Sequence, residues 1–287
     1  MTSESTAADP RPSPRIDHVM VLVDALAYKE VAATCFLGEH FGRLKEKKAD
    51  SSVAGQYSTL GVAGDNTLIE LFNAEMPGSA PLTGGLVFSF EEPGSSQRAR
   101  AVLDASDQVS YHYDLVKRAV GGAKEELPWY HLISVDLGQG SPFLLFLNEV
   151  TDEYFAAVGA TPAADGARRR RDYLDAVVGP VDGRSPLMRD IVGVTMLVRA
   201  ERARRIAAAM ALFGFAVTER ATMLELRSPD LFIELHIDES VPIERITEIR
   251  IRLDERAHES AEFQFGKTSR LVIDPAGAAR WLFDQAG

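Results

Sequence analysis

The residues best placed for chemistry are single polar groups set into apolar strands. In "RIDHVMVLV" (15–23) the run is strand-like and carries one imidazole, His18, near its middle. In "TLIELF" (67–72) the polar residue is a carboxylate, Glu70. Residues two apart on a strand share a face, so His18 stands with Met20 and Leu22, and Glu70 with Leu68 and Phe72. A carboxylate in apolar surroundings is costly unless it is paired or protonated. An imidazole and a carboxylate that converge there have two outlets: they hydrogen-bond each other, or they share a cation. Both segments have a downstream echo. "DIVGVTMLV" (190–198) repeats the first strand with Gly193 in place of His18, and "LFIELH" (231–236) repeats the second with Glu234 in place of Glu70.

The elements that must position these groups recur along the chain. The first unit reads as a strand over 16–23, a helix over 27–41, an exposed strand within 43–52, and strands over 55–64 and 66–75, an order of β-α-β-β-β. The second repeats it: a strand at 84–92, a helix at 95–106, and strands at 109–120, 128–138 and 141–150. Residues 151–189 break the rhythm and read as helical connectors. The run Arg168–Arg171 within them reads as a solvated helix face rather than a phosphate site. A third unit follows from 190, with a helix over 201–215. The fourth, opening with "ITEIRIRLDE" (246–255), is reduced, and its tail from Asp274 reads as a closing helix with Pro275 in its first turn. Cys35, inside the first helix, reads as a buried packing residue.

Composition narrows the classes. The chain has 287 residues, 46% hydrophobic and 25% charged, with a net charge of −11. That suits one or two soluble domains and disfavours nucleic acid and anionic membrane surfaces. A polar, Pro-containing leader over 1–14 without a hydrophobic core suggests a disordered start and a cytoplasmic location. A single cysteine excludes an intrachain disulfide. Phosphate-loop, dinucleotide, nucleophile-elbow and CxxC motifs are absent.

At this point the segments "DHVMVLVDALAYKEV", "NTLIELFNAE", "PWYHLISVD", "LLFLNEVTDEYF" and "RRDYLDAVVG" carry a resemblance. The chain resembles the vicinal oxygen chelate superfamily of glyoxalase, extradiol dioxygenase and bleomycin-resistance proteins, and more closely a family of glyoxalase-related bacterial proteins without an assigned reaction. The resemblance implies an α+β fold of tandem βαβββ modules, curved mixed sheets around a cup, with modules at 15–78 and 82–150, a linker at 151–189 and a second, degenerate module pair at 190–287. It implies a divalent metal (Fe, Mn, Zn or Ni) on His18 and Glu70, with Glu149 as a further ligand, and Glu149 or His131 as catalytic groups. Tyr57, Tyr111 and Trp129, with Tyr113 and Tyr130, would line the cup. The implied function is a lyase, isomerase, cyclase or oxygenase step on a small oxygen-rich molecule, in secondary metabolism. The alternative is metal-free sequestration of a small molecule in the same cup, by a monomer or homodimer. Glu234 and His236, with Arg250 and Arg252 nearby as ion-pair partners, read as a degenerate copy, while His40, His112 and His258 read as surface residues.

Overall fold

The computed structural model describes residues 11–51, 55–75, 81–121, 124–179, 186–255 and 259–284, with the side chains of 48–51 and 55–57 left aside. His258 and residues 1–10 of the expected leader lie outside the described residues.

The first sheet is built from β1 (Arg15–Val23), β2 (Arg43–Ser51), β3 (Gly55–Ala63), β4 (Leu68–Asn73), β5 (Gly84–Phe90), β6 (Tyr111–Ala119), β7 (Glu126–Val135) and β8 (Phe143–Val150). Their spatial order is β2-β3-β4-β1-β5-β8-β7-β6. β1 runs parallel to β4, and β5 parallel to β8. Such pairs need a long crossover. Helices α1 (Ala25–Ala33) and α2 (Ser95–Asp104) lie within those crossovers. Val19, Val21 and Val23 alternate inward and are buried, while His18, Met20 and Leu22 on the other face are half-buried. That second face is concave. Lys47 on β2 and Trp129 on β7 are six strand intervals apart, roughly 29 Å in a flat sheet. Yet the Lys47 ammonium lies 5.7 Å from the Trp129 ring centre.

The first helix is shorter than its sequence pattern predicts. Asp24 caps it, accepting from the Ala27 amide at 2.8 Å. It ends at Thr34, whose hydroxyl turns back onto the Glu30 carbonyl at 2.6 Å. A single π turn (Leu37–Phe41) follows. Cys35 falls at this break and is exposed, so the expectation of a buried packing thiol is corrected.

The second sheet repeats the order with β9 (Met188–Val198), β10 (Ala216–Arg220), β11 (Met223–Arg227), β12 (Phe232–Ile237), β13 (Arg245–Leu253), β14 (Ala261–Phe265), β15 (Ser269–Asp274) and β16 (Ala278–Phe283), arranged β10-β11-β12-β9-β13-β16-β15-β14. α5 (Ala200–Leu212) supplies the crossover that makes β9 and β12 parallel. Between β13 and β14 only residues 254–260 remain, too few for a crossover. The consequence is a reversal: β13 and β16 are antiparallel where β5 and β8 are parallel.

The closing helix expected from Asp274 onward is the β15–β16 hairpin and its last strand. Asp274 does cap, accepting from the Ala276 amide at 2.8 Å, but it caps a turn through Gly277 at φ 80°. The buried residues Ala279, Trp281 and Phe283 then alternate with period two.

With no helix of its own among the described residues, the fourth unit borrows α1. Phe36, just past α1, stacks on Phe263 at 4.5 Å. Glu30 accepts from the Gly266 amide, and Asp24 from the Thr268 hydroxyl, both at 2.6 Å. Gly266 sits at φ 57°, and a Cβ there would lie 3.1 Å from the Ala27 nitrogen, so the turn needs glycine on both counts. From the other half, Phe213 and Phe215 meet Phe90 and Phe88 edge-on at 6.1 and 5.9 Å. One buried apolar core therefore runs through both sheets.

The linker holds α3 (Asp152–Ala157) and α4 (Arg170–Val178). α4 is tied to both wings of the first sheet: Asp175 accepts from Arg43 and the Val177 carbonyl from Lys45, both on β2, while Tyr173 accepts from the Trp129 indole at 2.9 Å. A second apolar cluster of Val150, Tyr154, Phe155, Ala160 and Tyr173 seals it. No helix among the described residues is long and apolar enough to cross a membrane.

Candidate functional site

β1 and β4 bring His18 and Glu70 together. His18 pairs in register with Leu68, and Glu70 with Met20, so the two polar side chains lie two residues apart on one face. The His18 Nε2 to Glu70 Oε2 distance is 3.5 Å, with about a sixth of each side chain exposed.

The other ring nitrogen is held from behind. Nδ1 of His18 lies 2.5 Å from Oδ1 of Asp17. Adjacent strand residues normally point to opposite faces. Here the β1–β5 register shifts between Ile16 and His18, and this bulge at Asp17 puts both side chains on the concave side. Asp17 is in turn 2.7 Å from a guanidinium nitrogen of Arg170, and both are buried. Burial alone would raise the Asp17 pKa. Arg170 and His18 outweigh it and hold the carboxyl below its ordinary value.

This arrangement decides what Nε2 can do. When the ring carries one proton and donates it from Nδ1 to Asp17, Nε2 presents a lone pair. That lone pair faces a carboxylate oxygen, and the two repel unless a cation, either a proton or a metal ion, lies between them. Two ligands at about 2.1 Å from one tetrahedral ion are about 3.4 Å apart, close to the spacing here. A carboxylate on the far nitrogen is also the usual support of a metal-bound imidazole. On these observations His18 and Glu70 fit one metal ion as a two-ligand half-site.

The second module does not add the other half. The positions of β5 and β8 that face the concave side are Gly85, Val87, Ser89, Leu144, Phe146 and Asn148, none of them a histidine or carboxylate. Among the described residues no group of three or more His, Cys, Asp or Glu side chains could hold a metal ion.

Glu149 is engaged elsewhere. It faces the helix side of the sheet, where its oxygens accept from the amides of Gly94 at 2.7 Å and Ser96 at 2.6 Å, capping α2. Arg168 donates to it at 3.1 Å. Burial opposes ionisation, but the Ser96 and Gly94 donors and Arg168 pull its pKa below the ordinary value. His131 is the cross-strand partner of Glu149 on that same outer face, 2.8 Å from the Tyr113 hydroxyl. Tyr111 is there too, bonded to Asp104 at 2.7 Å. The structure thus brings His18 and Glu70 together and leaves Glu149, His131, Tyr111 and Tyr113 on the other side of the sheet, away from the expected ligand set and cup lining.

Trp129 and Tyr130 do lie on the concave side. Trp129 is the extra residue where the β6–β7 register shifts, and its ring sits 4.4 Å from that of Tyr130. Tyr57 is on β3, outside the residues whose side chains are described. The solvated reading of the arginine run holds for the exposed Arg171 and is corrected for Arg168 and Arg170. Arg168 and Arg170 are buried, Arg168 between Glu149 and Asp152, Arg170 on Asp17. Arg169 meets Glu91 and Asp165. Beside Asp17 only a cleft of about 10 Å³ remains, lined by Ser89, Tyr130, Arg170 and Tyr173. That is about one water molecule's space.

In the second sheet Glu234 accepts from Arg250 at 2.8 Å and from Thr195 at 3.2 Å, while His236 is exposed. A cavity of about 620 Å³ opens there among Val192, Arg250, Arg280, Val272, Glu262 and Asp274.

Asp17, which backs His18, and Lys47 and Arg118, which flank Trp129 at 5.7 and 4.6 Å, were not singled out from the sequence, and Arg170 was read only as part of a solvated run. A bulge and a linker helix create these contacts, and neither has a periodic signature.

One solved structure shows the same fold, and others are similar more weakly. A hypothetical protein from Staphylococcus aureus superposes with a TM-score of 0.54 at 12% identity, over 88% of this chain and 95% of that one. A xylose isomerase-like TIM barrel/4-hydroxyphenylpyruvate dioxygenase fusion protein gives 0.47 at 14% identity, over 92% of this chain and 47% of that one. Homoprotocatechuate 2,3-dioxygenase from Brevibacterium fuscum gives 0.42 at 13%, over 80% and 62%. No curated protein matches the sequence. The model of a family of unknown function, DUF5829, matches residues 16–283, and the chain belongs to that family.

Proposed function

We propose that the concave face of the first sheet binds a small oxygen-rich molecule over a divalent cation held by His18 and Glu70, as an enzyme of the vicinal oxygen chelate type. The observation that carries this reading is the imidazole fixed by Asp17 with its free nitrogen 3.5 Å from a carboxylate oxygen. Asp17 orients the ring, and Arg170 keeps Asp17 charged. α4 supplies Arg170 and Tyr173 to the wall of the small cleft beside Asp17. A cation bound there would polarise a carbonyl or enolate oxygen of the substrate. With two protein ligands, the remaining positions fall to water or substrate. The mixed N/O set suits Fe, Mn, Zn or Ni.

A second reading is favoured by the concave positions of β5 and β8, which carry no histidine or carboxylate: the same face binds its small molecule without metal, with His18 and Glu70 as polar anchors. Thermal melts separate the two. The metal reading expects Mn, Fe(II), Zn or Ni to raise the melting temperature of the wild type and not of His18→Ala or Glu70→Gln. No response to any of the four ions contradicts it.

A further inference from the structure

We infer that the ligand of the first concave face is an organic carboxylate, its charged group seated between Lys47 and Arg118 beside Trp129. This rests on the reading that the face binds a small molecule and is independent of the metal.

Most cations of this face have a partner on the protein. Arg170 is paired with Asp17, Arg43 with Asp175, and Lys45 with the Val177 carbonyl at the end of α4. Lys47 and Arg118 differ. Among the described residues neither has a carboxylate within ion-pair distance, and both stand over the same indole ring, at 5.7 and 4.6 Å. Two like charges against one ring repel each other, and a cation–π contact leaves the charge in place. The negative group that acts most on Lys47 is Glu70, which faces His18. Burial lowers the Lys47 pKa, and Arg118, Arg170 and Lys45 lower it further against the pull of Glu70.

This concentration of positive charge is not a by-product of composition, because the chain as a whole carries −11. A bound carboxylate would neutralise the two cations at once, and Arg118 offers it two parallel donors. The half-buried Trp129 ring beside them offers a flat apolar surface for the rest of the molecule. The site also joins the two edges of the cup, since Lys47 comes from β2 and Arg118 from β6.

Tryptophan fluorescence of the full chain, treated with chelator, tests the inference. There are two tryptophans, and Trp281 is fully buried, so Trp129→Phe identifies the reporter. Benzoate is the probe and benzamide its neutral control. A saturable change with benzoate, at least about tenfold weaker with benzamide and in Lys47→Met and Arg118→Met, supports the inference. Gln variants at both positions, checked by circular dichroism, keep the comparison readable if a Met variant unfolds. Equal responses to benzoate and benzamide, unchanged benzoate binding in the folded variants, or no saturable response overturn it. Adding metal to the same samples separates the two readings. Metal binding without benzoate binding removes the carboxylate inference alone, and benzoate binding without metal binding removes the metal reading alone.

Discussion

Gly193 occupies in the second sheet the place that His18 occupies in the first. His18 pairs with Leu68 on the parallel strand and Val87 on the antiparallel one, and Gly193 pairs with Phe232 and Arg250. Two residues on, Glu70 and Glu234 match. Three changes go together. The imidazole is lost, the Phe232 ring lies over the vacated backbone, and Arg250 stacks on that ring at 4.7 Å while bonding Glu234. Where Glu70 faces an imidazole, Glu234 accepts from a guanidinium. In the first sheet Val87 stands opposite His18, where the second sheet has Arg250 opposite Gly193. Glu70 therefore lacks that arginine, and its close contact is with the His18 ring.

Restoring the histidine should not restore a site. A Cβ at 193 would lie 2.3 Å from the Phe232 ring. Gly193→His is expected to cost about 1–3 kcal/mol through overpacking, read as a lower urea midpoint with no additional metal equivalent bound. An unchanged midpoint would contradict the described contact.

The Asp17–Arg170 pair should weigh far more than the half-exposed Arg250–Glu234 pair. Asp17→Leu leaves a buried guanidinium uncompensated, and the expected loss is about 3–5 kcal/mol. Arg250→Met, at a pair with solvent access, should cost about 1 kcal/mol or less. In a double-mutant cycle Arg170→Met should recover much of the Asp17→Leu loss. Additive losses would mean that the two residues are not coupled.

Acid should act through the same groups. Asp17 and Glu149 have pKa values below their ordinary 3.8 and 4.5. Groups depressed in the folded state contribute stability above those ordinary values and lose it as pH falls through the folded ones. Melting temperature should therefore fall as pH drops below about 4.5, and the fall should be shallower in Glu149→Gln, which no longer titrates there. A wild-type melting temperature rising with acid would show the opposite sign.

Cys35 gives a direct check on the broken first helix. As the single, exposed cysteine it should react with a thiol reagent in the native protein at nearly the rate of the denatured chain. Strong native protection would place it in the core after all.

Much of the fold was legible because it follows from periodicity and turn chemistry. The strands of the first sheet, strands β9 to β13 of the second, the crossover helices and the alignment of His18 with Gly193 and Glu70 with Glu234 agree with the observed elements and register. The tail was misread because Asp274 and Pro275 resemble a helix start, while the period-two set Ala279, Trp281 and Phe283 is short. Glu149 was misplaced by one residue's worth of facing: on a strand, position 148 looks into the cup and 149 looks out to α2. Asp17 was invisible because only a bulge turns a neighbour in sequence into a neighbour of the same ring.

The most direct test of the His18–Glu70 centre is isothermal titration of chelator-treated protein with each of Mn, Fe(II), Zn and Ni, the iron under anaerobic conditions. Binding near one equivalent per chain, lost in both His18→Ala and Glu70→Gln and weakened roughly 10–100-fold in Asp17→Asn, is the expected result. No binding of any of the four ions, or binding that survives both substitutions, would contradict a cation held between these two side chains.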